Sequence, residues 1–472
     1  MLLMPVFDQT RKTPQYVQLY HYLKGEIAAG RLAEQTKLPS VRRLADLLAI
    51  STTPVELAYQ QLMAEGFITS KPKSGYYVQK MPEPYQNLEQ RSVEADEGVP
   101  LRDVRTYEYD FHLSKNDFSA FPFRIWRRLA NQALRIEEKD LLFYGDPQGE
   151  RGLRRELSAY LRQFRGLDCT PEQIVIAADQ YLLLSFLCMM IKTEYAEAGI
   201  GLENPGYPLF RSTFMQHGFR VQPISLEEDG ISVAELYDSQ VRAAYVSPSH
   251  QYPKGMLMPI SKRLELLEWA KRVDGIVIED DYDGEFRYHG KPVPSLQGLI
   301  PDAPVVYMGG FSQMVAPALC ITYMVLPRRL LAPFRRLQDL LLFEQSSSPL
   351  HQRTMQLFME TGFFEKHVRK MRNLYRKKHD AVIAAIGKHF GDKVIISGKD
   401  AGLHLFVKIN STKSEQELRQ RAKEAGINIA SAAYTWFEPW PPERKEFLIG
   451  FGGIELEKIE PGIKRLKEIW FD

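Results

Sequence analysis

A chain of 472 residues with 44% hydrophobic and 25% charged residues has the make-up of a soluble globular protein and is too long for one ordinary core, so two or three domains are expected. Its net charge of +2 excludes a chain-wide basic field, no apolar run approaches membrane-spanning length, and the opening residues turn acidic at Asp8, too soon for a secretory signal. The cysteines Cys169, Cys188 and Cys320 are scattered, with no CxxC pair and no metal-ligand spacing, as expected of a cytoplasmic protein.

The charge is unevenly placed. Residues 1–80 hold 10 Lys/Arg against 6 Asp/Glu, and 81–110 hold 3 against 8. A basic head, 1–80, on an acidic linker, 81–110, punctuated by Pro82, Pro84, Gly98 and Pro100, suggests a DNA-facing module. A large domain, 111–472, follows, in which short apolar strands alternate with amphipathic helices.

Within the head, Ser40 after Pro39 is a good N-cap, and Leu44, Leu47 and Leu48 give the short helix behind it an apolar face. Thr53-Pro54-Val55-Glu56 has the form of a capping box with proline at the first helical position, which predicts a second helix over 54–65 with Val55, Ala58, Tyr59 and Leu62 inward. The break at Ala49 to Thr52 has the length of a helix-turn-helix. The runs Phe67–Ser70 and Tyr76–Gln79 then flank Lys71-Pro72-Lys73-Ser74-Gly75, which predicts a hairpin wing whose turn carries two cations.

In the large domain, Ile276-Val277-Ile278-Glu279-Asp280-Asp281-Tyr282-Asp283 reads as a buried parallel strand ending in carboxylates and a tyrosine, where open α/β sheets place ligand sites. Alone, each such residue also has a plain structural reading. A strand-end carboxylate can pair with an arginine, and a loop histidine or Tyr207 can simply pack.

The segments Leu38-Pro39-Ser40-Val41-Arg42-Arg43-Leu44-Ala45, Ala58-Tyr59-Gln60-Gln61-Leu62 and Glu65-Gly66-Phe67 resemble the winged helix-turn-helix head of GntR-type transcription regulators. The resemblance implies contact with double-stranded DNA through Ser40, Arg42, Arg43, Thr52, Thr53, Lys71 and Lys73. It departs at Thr52, where the family carries a second arginine, and at Pro54, where a threonine is usual. Losing a guanidinium removes about 1–3 kcal/mol of discrimination if it touched a base.

The body resembles fold-type I aminotransferases, a mostly parallel sheet with flanking helices. The likeness rests on the strand end just quoted, on Ser247-Pro248-Ser249-His250-Gln251-Tyr252-Pro253-Lys254-Gly255, Glu203-Asn204-Pro205-Gly206-Tyr207, Tyr144-Gly145-Asp146-Pro147-Gln148-Gly149 and Ala401-Gly402-Leu403-His404. A GntR head joined to such a body is the plan of MocR/GabR-type regulators. That resemblance implies pyridoxal 5'-phosphate (PLP) as cofactor, with Asp280 at the pyridine nitrogen, Tyr282 at the phenolic oxygen and His250 in the place of a usual asparagine. It implies a homodimer with swapped heads on paired half-sites and a small-molecule effector, and it places Asp179, Gln180, Tyr207, Ser312, Gln313 and Cys320 in the same pocket.

At that pocket the chain departs from its relatives. Gln313 stands where a lysine forms the Schiff base with PLP, and an amide nitrogen cannot do this. Cys320 replaces the phosphate-binding arginine, Gly310 a hydroxyl residue, and Asp179 another small hydroxyl residue. Exchanging charge-assisted donors for a thiol and a carboxylate removes attraction from a near-dianion and adds repulsion. Covalent PLP is therefore expected to be absent. Aromatics from Tyr434 to Trp440, and Pro208-Leu209 after Tyr207, stand where amino-acid-sensing relatives carry arginines, which points to a cationic or aromatic nitrogenous effector. A regulator is expected; the alternatives are a PLP-dependent enzyme with an accessory head and a body that serves purely as a dimerisation scaffold with no ligand.

Overall fold

The structure, a computed structural model, describes residues 13–80, 106–195, 199–288, 290, 292–341, 347–441 and 443–471. The linker expectation for 81–105 falls outside them. The chain divides into two compact units, one up to Arg105 and one from Thr106.

In the first unit α1 (Gln15–Ala28), α2 (Val41–Leu48) and α3 (Thr52–Ala64) precede the antiparallel strands β1 (Ile68–Lys71) and β2 (Gly75–Val78). Leu19, Leu23, Leu44, Val55, Tyr59 and Leu62 build its core. Tyr59 donates from its hydroxyl to the Pro39 carbonyl at 3.0 Å, tying α3 to the approach to α2. Ser40 caps α2 as expected, accepting from the Arg43 amide at 3.3 Å. Leu47 is 56% exposed, so the apolar face of α2 rests on Leu44 and Ala45.

Helix α3 begins two residues before the expected start. Its N-cap is Ser51, and Thr52 and Thr53 lie in its first turn, so Thr53 is not the cap and no side-chain cap bond forms. Pro54 is accommodated because the first-turn amides of a helix lack intrahelical acceptors. The inward set Val55, Ala58, Tyr59 and Leu62 is buried as expected. In the wing, Lys71 and Gly75 pair as the last ladder residues, leaving a turn of Pro72, Lys73 and Ser74 in which Lys73 takes a φ of 59°.

The second unit is built on an eight-stranded sheet. Its strands run, in spatial order, Ile174–Ala177, Thr322–Val325, Val305–Gly310, Ile276–Asp280, Ala243–Val246, Ile200–Asn204, Val221–Glu227 and Gly230–Ile231. The five from Val305–Gly310 to Val221–Glu227 are parallel neighbours, and antiparallel strands flank them. Ile276–Asp280 is buried along its whole length, which explains its unbroken apolar run up to the carboxylates. A smaller antiparallel sheet of Val394–Ser397, His404–Ile409, Glu446–Gly450 and Ala430–Ser431 packs with the long helix Phe363–Phe390 and the helix Leu456–Phe471 in a shared core. Tyr109–Asp110, assigned above to the linker, pairs in parallel with Ile427–Asn428 and so belongs to this unit. No helix among the described residues is long and apolar enough to cross a membrane.

Candidate functional site

In the head, the residues singled out for DNA lie on three elements. Arg42 and Arg43 open α2 behind the exposed Ser40, Thr52 and Thr53 open α3, and Lys71 and Lys73 stand on the wing; all seven are exposed. The Lys71 ammonium lies 4.6 Å from the Tyr77 ring centroid and donates to Gln35 at 3.3 Å. Lys37, which sequence reasoning passed over, lies 5.9 Å from the same ring. Its only signal in the sequence was its place just ahead of Leu38-Pro39-Ser40; in the structure it bridges to Tyr77.

In the body, the parallel strand Ile276–Asp280 delivers its end to a cavity of about 230 Å³. Of the predicted residues, Gln180, Tyr207, Asp280, Tyr282, Ser312 and Gln313 line it together, and Leu113, Ser114, Tyr252, Asp283, Leu403, His404 and Tyr434 complete the lining. The two strand-end aspartates divide the roles left open above. Asp281 pairs with the buried Arg165 guanidinium at 2.7 Å, and that guanidinium also donates to Ser249 at 2.8 Å, so this carboxylate is structural. Asp280 faces the cavity, where Oδ1 accepts from Gln180 Nε2 and Oδ2 from the Tyr245 hydroxyl, each at 2.9 Å. Burial pushes the Asp280 carboxyl up to about 7, against the lowering effect of the Tyr245 and Gln180 donors.

His250 does not itself line the cavity. Its Nδ1 lies 2.9 Å from both Asp283 Oδ2 and the Tyr282 hydroxyl, while Nε2 is buried with no partner among the described residues. His250 therefore fixes the Tyr282 ring. His404 bonds through Nε2 to the Pro253 carbonyl at 3.1 Å, and burial pushes its pKa down to about 4, which keeps it neutral. His250, Asp283 and His404 bring ligand atoms within 4.8 Å of one another, but Asp283 Oδ2 and His404 Nε2 are already engaged as described. Gln313 is anchored through its backbone: Asn116 donates to the carbonyls of Ser312 at 2.6 Å and Gln313 at 3.1 Å. The side-chain Oε1 of Gln313 is buried and has no donor among the described residues.

Two predicted pocket residues lie elsewhere. Asp179 is exposed and caps the helix Gln180–Glu194, its Oδ1 accepting from the Leu182 amide at 2.8 Å. Cys320 is exposed, takes a φ of 53°, and its carbonyl accepts from Ser347 at 2.8 Å. Neither lines the cavity. Missed were Tyr245, which holds Asp280 in place, and the wall residues Ser114, Tyr252, Asp283, His404 and Tyr434. Tyr252, Asp283, His404 and Tyr434 lay in the segments quoted above, whereas Tyr245 and Ser114 carried no signal.

The two units match known families. Residues 15–78 match the bacterial regulatory proteins of the gntR family, and residues 110–442 match aminotransferase class I and II. The uncharacterized HTH-type transcriptional regulator YhdI of Bacillus subtilis is 39% identical over 99% of this chain and 98% of its own length. The probable rhizopine catabolism regulatory protein MocR of Rhizobium meliloti is 31% identical over 98% of this chain and 95% of its own length. Among solved structures, kynurenine aminotransferase of Pyrococcus horikoshii superposes with a TM-score of 0.68 at 24% identity, covering 81% of this chain and 95% of that one, a likeness of fold. With a gntR head, an aminotransferase-like body and relatives that match it end to end, the chain belongs to the MocR-type HTH transcriptional regulators and is a DNA-binding transcription regulator.

Proposed function

We propose that this regulator senses a small molecule through the body cavity and holds no covalent PLP there. The observation that carries the reading is Gln313, whose side chain stands in the cavity lining where an amine would be required. The rest of the site fits PLP poorly as well. Among the described residues, no lysine or arginine lines the cavity. The N-terminus of the helix Gln180–Glu194, an obvious seat for a phosphate, already receives the Asp179 carboxylate on its Leu182 amide. At 320 the side chain is a thiol with no guanidinium to offer.

The same residues argue for a sensor over a catalyst. Proton transfer within a bound amino acid needs a basic group beside the reacting carbon, and the amide of Gln313 cannot act as one. Asp280 and Tyr282, held by Tyr245, Gln180 and His250, nevertheless remain organised to grip a ligand. We further propose that the protein acts in the cytoplasm as a homodimer whose heads bind paired half-sites, because two-fold protein symmetry is mirrored in the operator.

The test is direct. The purified protein is incubated with PLP, reduced with borohydride, and mapped by peptide mass. The peptide from Ser312 to Cys320 should be unmodified and the visible spectrum that of free PLP. A stoichiometric pyridoxyl adduct on any lysine, Lys254 included, would overturn the reading.

A further inference from the structure

The charge lining the cavity is one-sided. Asp280 and Asp283 face it, and none of its described lining residues is a lysine or arginine. His404 is held neutral by burial. The nearby cations are turned to other work. The Arg211 guanidinium lies 4.8 Å from the Phe437 ring centroid and donates to the Trp436 carbonyl at 3.1 Å. Arg444 and Lys254 lie 3.8 Å and 5.8 Å from the Trp436 ring centroid. An anionic ligand would therefore meet Asp280 and the Asp283–His250 pair with no lysine or arginine in the described lining to balance it, whereas a cation would favour the ionised form of Asp280.

A ligand rich in N–H donors meets the opposite situation. Each Asp280 oxygen accepts one bond from the protein and has a second lone pair free. The buried Gln313 Oε1 has no donor among the described residues, and buried acceptors left unpaired are uncommon in folded proteins. The O and N of a terminal amide can exchange places by a flip, so Gln313 can offer either an acceptor or a donor at one site. Tyr207, Tyr252, Tyr282 and Tyr434 form the aromatic part of the lining, with Tyr207 and Tyr252 edge to face at 5.3 Å. Such rings favour a cation over their faces. A volume of about 230 Å³ is below the roughly 300–1,000 Å³ of sites for drug-sized ligands, so one ring with short arms fills it.

We infer that the cavity selects a compact cation, a single aromatic or heteroaromatic ring bearing a protonated nitrogen and no phosphate or carboxylate, held between Asp280 and Gln313. The inference rests on reading this cavity as a sensor site. It is tested on the full-length protein by calorimetric titration with two matched pairs: pyridoxamine against pyridoxamine 5'-phosphate, and tyramine against 4-hydroxyphenylacetate. The cation without an acidic group should bind at least about tenfold more tightly in each pair, a difference of about 1.4 kcal/mol. Gln313→Lys, which places a cation in the wall, should weaken that binding by about tenfold or more, and Gln313→Glu should preserve or tighten it. Both variants should show the parent's circular dichroism, so that a change reports the site and not misfolding.

Equal or tighter binding of the phosphate or carboxylate member overturns the inference, as does the absence of millimolar binding by every probe. So does a Gln313→Lys variant that binds the cations as the parent does. These failures are separable from failure of the sensor reading itself. A borohydride-trapped PLP adduct would refute the non-covalent site, whereas tighter reversible binding of pyridoxamine 5'-phosphate would leave that site standing and remove only its preference for a cation.

Discussion

A lysine returned to position 313 should not by itself restore a stable PLP complex. The defect proposed above has three parts. Gln313→Lys supplies the amine on a wall whose backbone Asn116 already fixes. It does nothing for the phosphate, since Asp179 still occupies the Leu182 amide at the helix N-terminus and position 320 still carries a thiol. Cys320→Arg adds a bidentate, charge-assisted donor worth about 1.5–3 kcal/mol, or roughly 10- to 150-fold in affinity. Asp179→Ser removes a repelling carboxylate while keeping a good N-cap, so its cost in stability should be only a few tenths of a kcal/mol. The expected order of PLP retention is Gln313→Lys, then Gln313→Lys with Cys320→Arg, then the triple variant. Retention is measured by visible absorbance after gel filtration and by borohydride trapping in the peptide that carries position 313. Full loading of the single variant at stoichiometric PLP would refute the reasoning, because it would mean that the phosphate needs neither position.

On DNA, Arg42→Ala should cost about 1–3 kcal/mol and flatten preference among sites, whereas Lys73→Ala should weaken all sites alike and lower the salt slope by about one; an anisotropy titration in which Arg42→Ala changes nothing would remove Arg42 as a base contact. Arg165→Met, which strands the buried Asp281, should destabilise the body by about 3–5 kcal/mol in urea unfolding, and adding Asp281→Leu should recover most of it. Stability should also fall as pH rises from about 6.5 to 8. Burial holds Glu203 at about 8 and Glu279, Asp280 and Glu285 at about 7, so the folded protein keeps protons that the unfolded chain has released, and their contribution is lost through the folded pKa. His367 and His404, pushed by burial to about 4, act in the opposite sense, but only below their unfolded value near 6.5. A melting temperature that climbs from pH 6.5 to 8 would contradict this assignment.

How far the sequence could be read depended on whether a feature was local. The strand Ile276–Asp280 and the α3 face of Val55, Ala58, Tyr59 and Leu62 were legible because burial imposes its period on adjacent residues. The start of α3 was not, since Ser51 and Thr53 are both competent caps two residues apart and proline is tolerated in the first turn, so local chemistry does not choose between them. The cavity lies at the other extreme. Gln180, Tyr207, Asp280 and Gln313 come together from four separate segments, and only resemblance to a known fold could place them in one pocket. That same resemblance also named Asp179 and Cys320, which are not among the lining residues, since a position inherited from a phosphate site need not point at the ligand once its residue has changed. Asp179, no longer a hydroxyl donor, satisfies the helix end instead. Tyr245 was missed for the complementary reason: its hydroxyl reaches Asp280 from the neighbouring parallel strand, a relation fixed by strand order and register, which no periodicity within one strand encodes. On the proposed sensor reading, loss of the cofactor's anchors and retention of the Asp280 cradle are not contradictory. The cradle is held by Tyr245 and Gln180, and Tyr282 by His250; none of these depends on a lysine at 313, so the site can lose its chemistry and keep its grip.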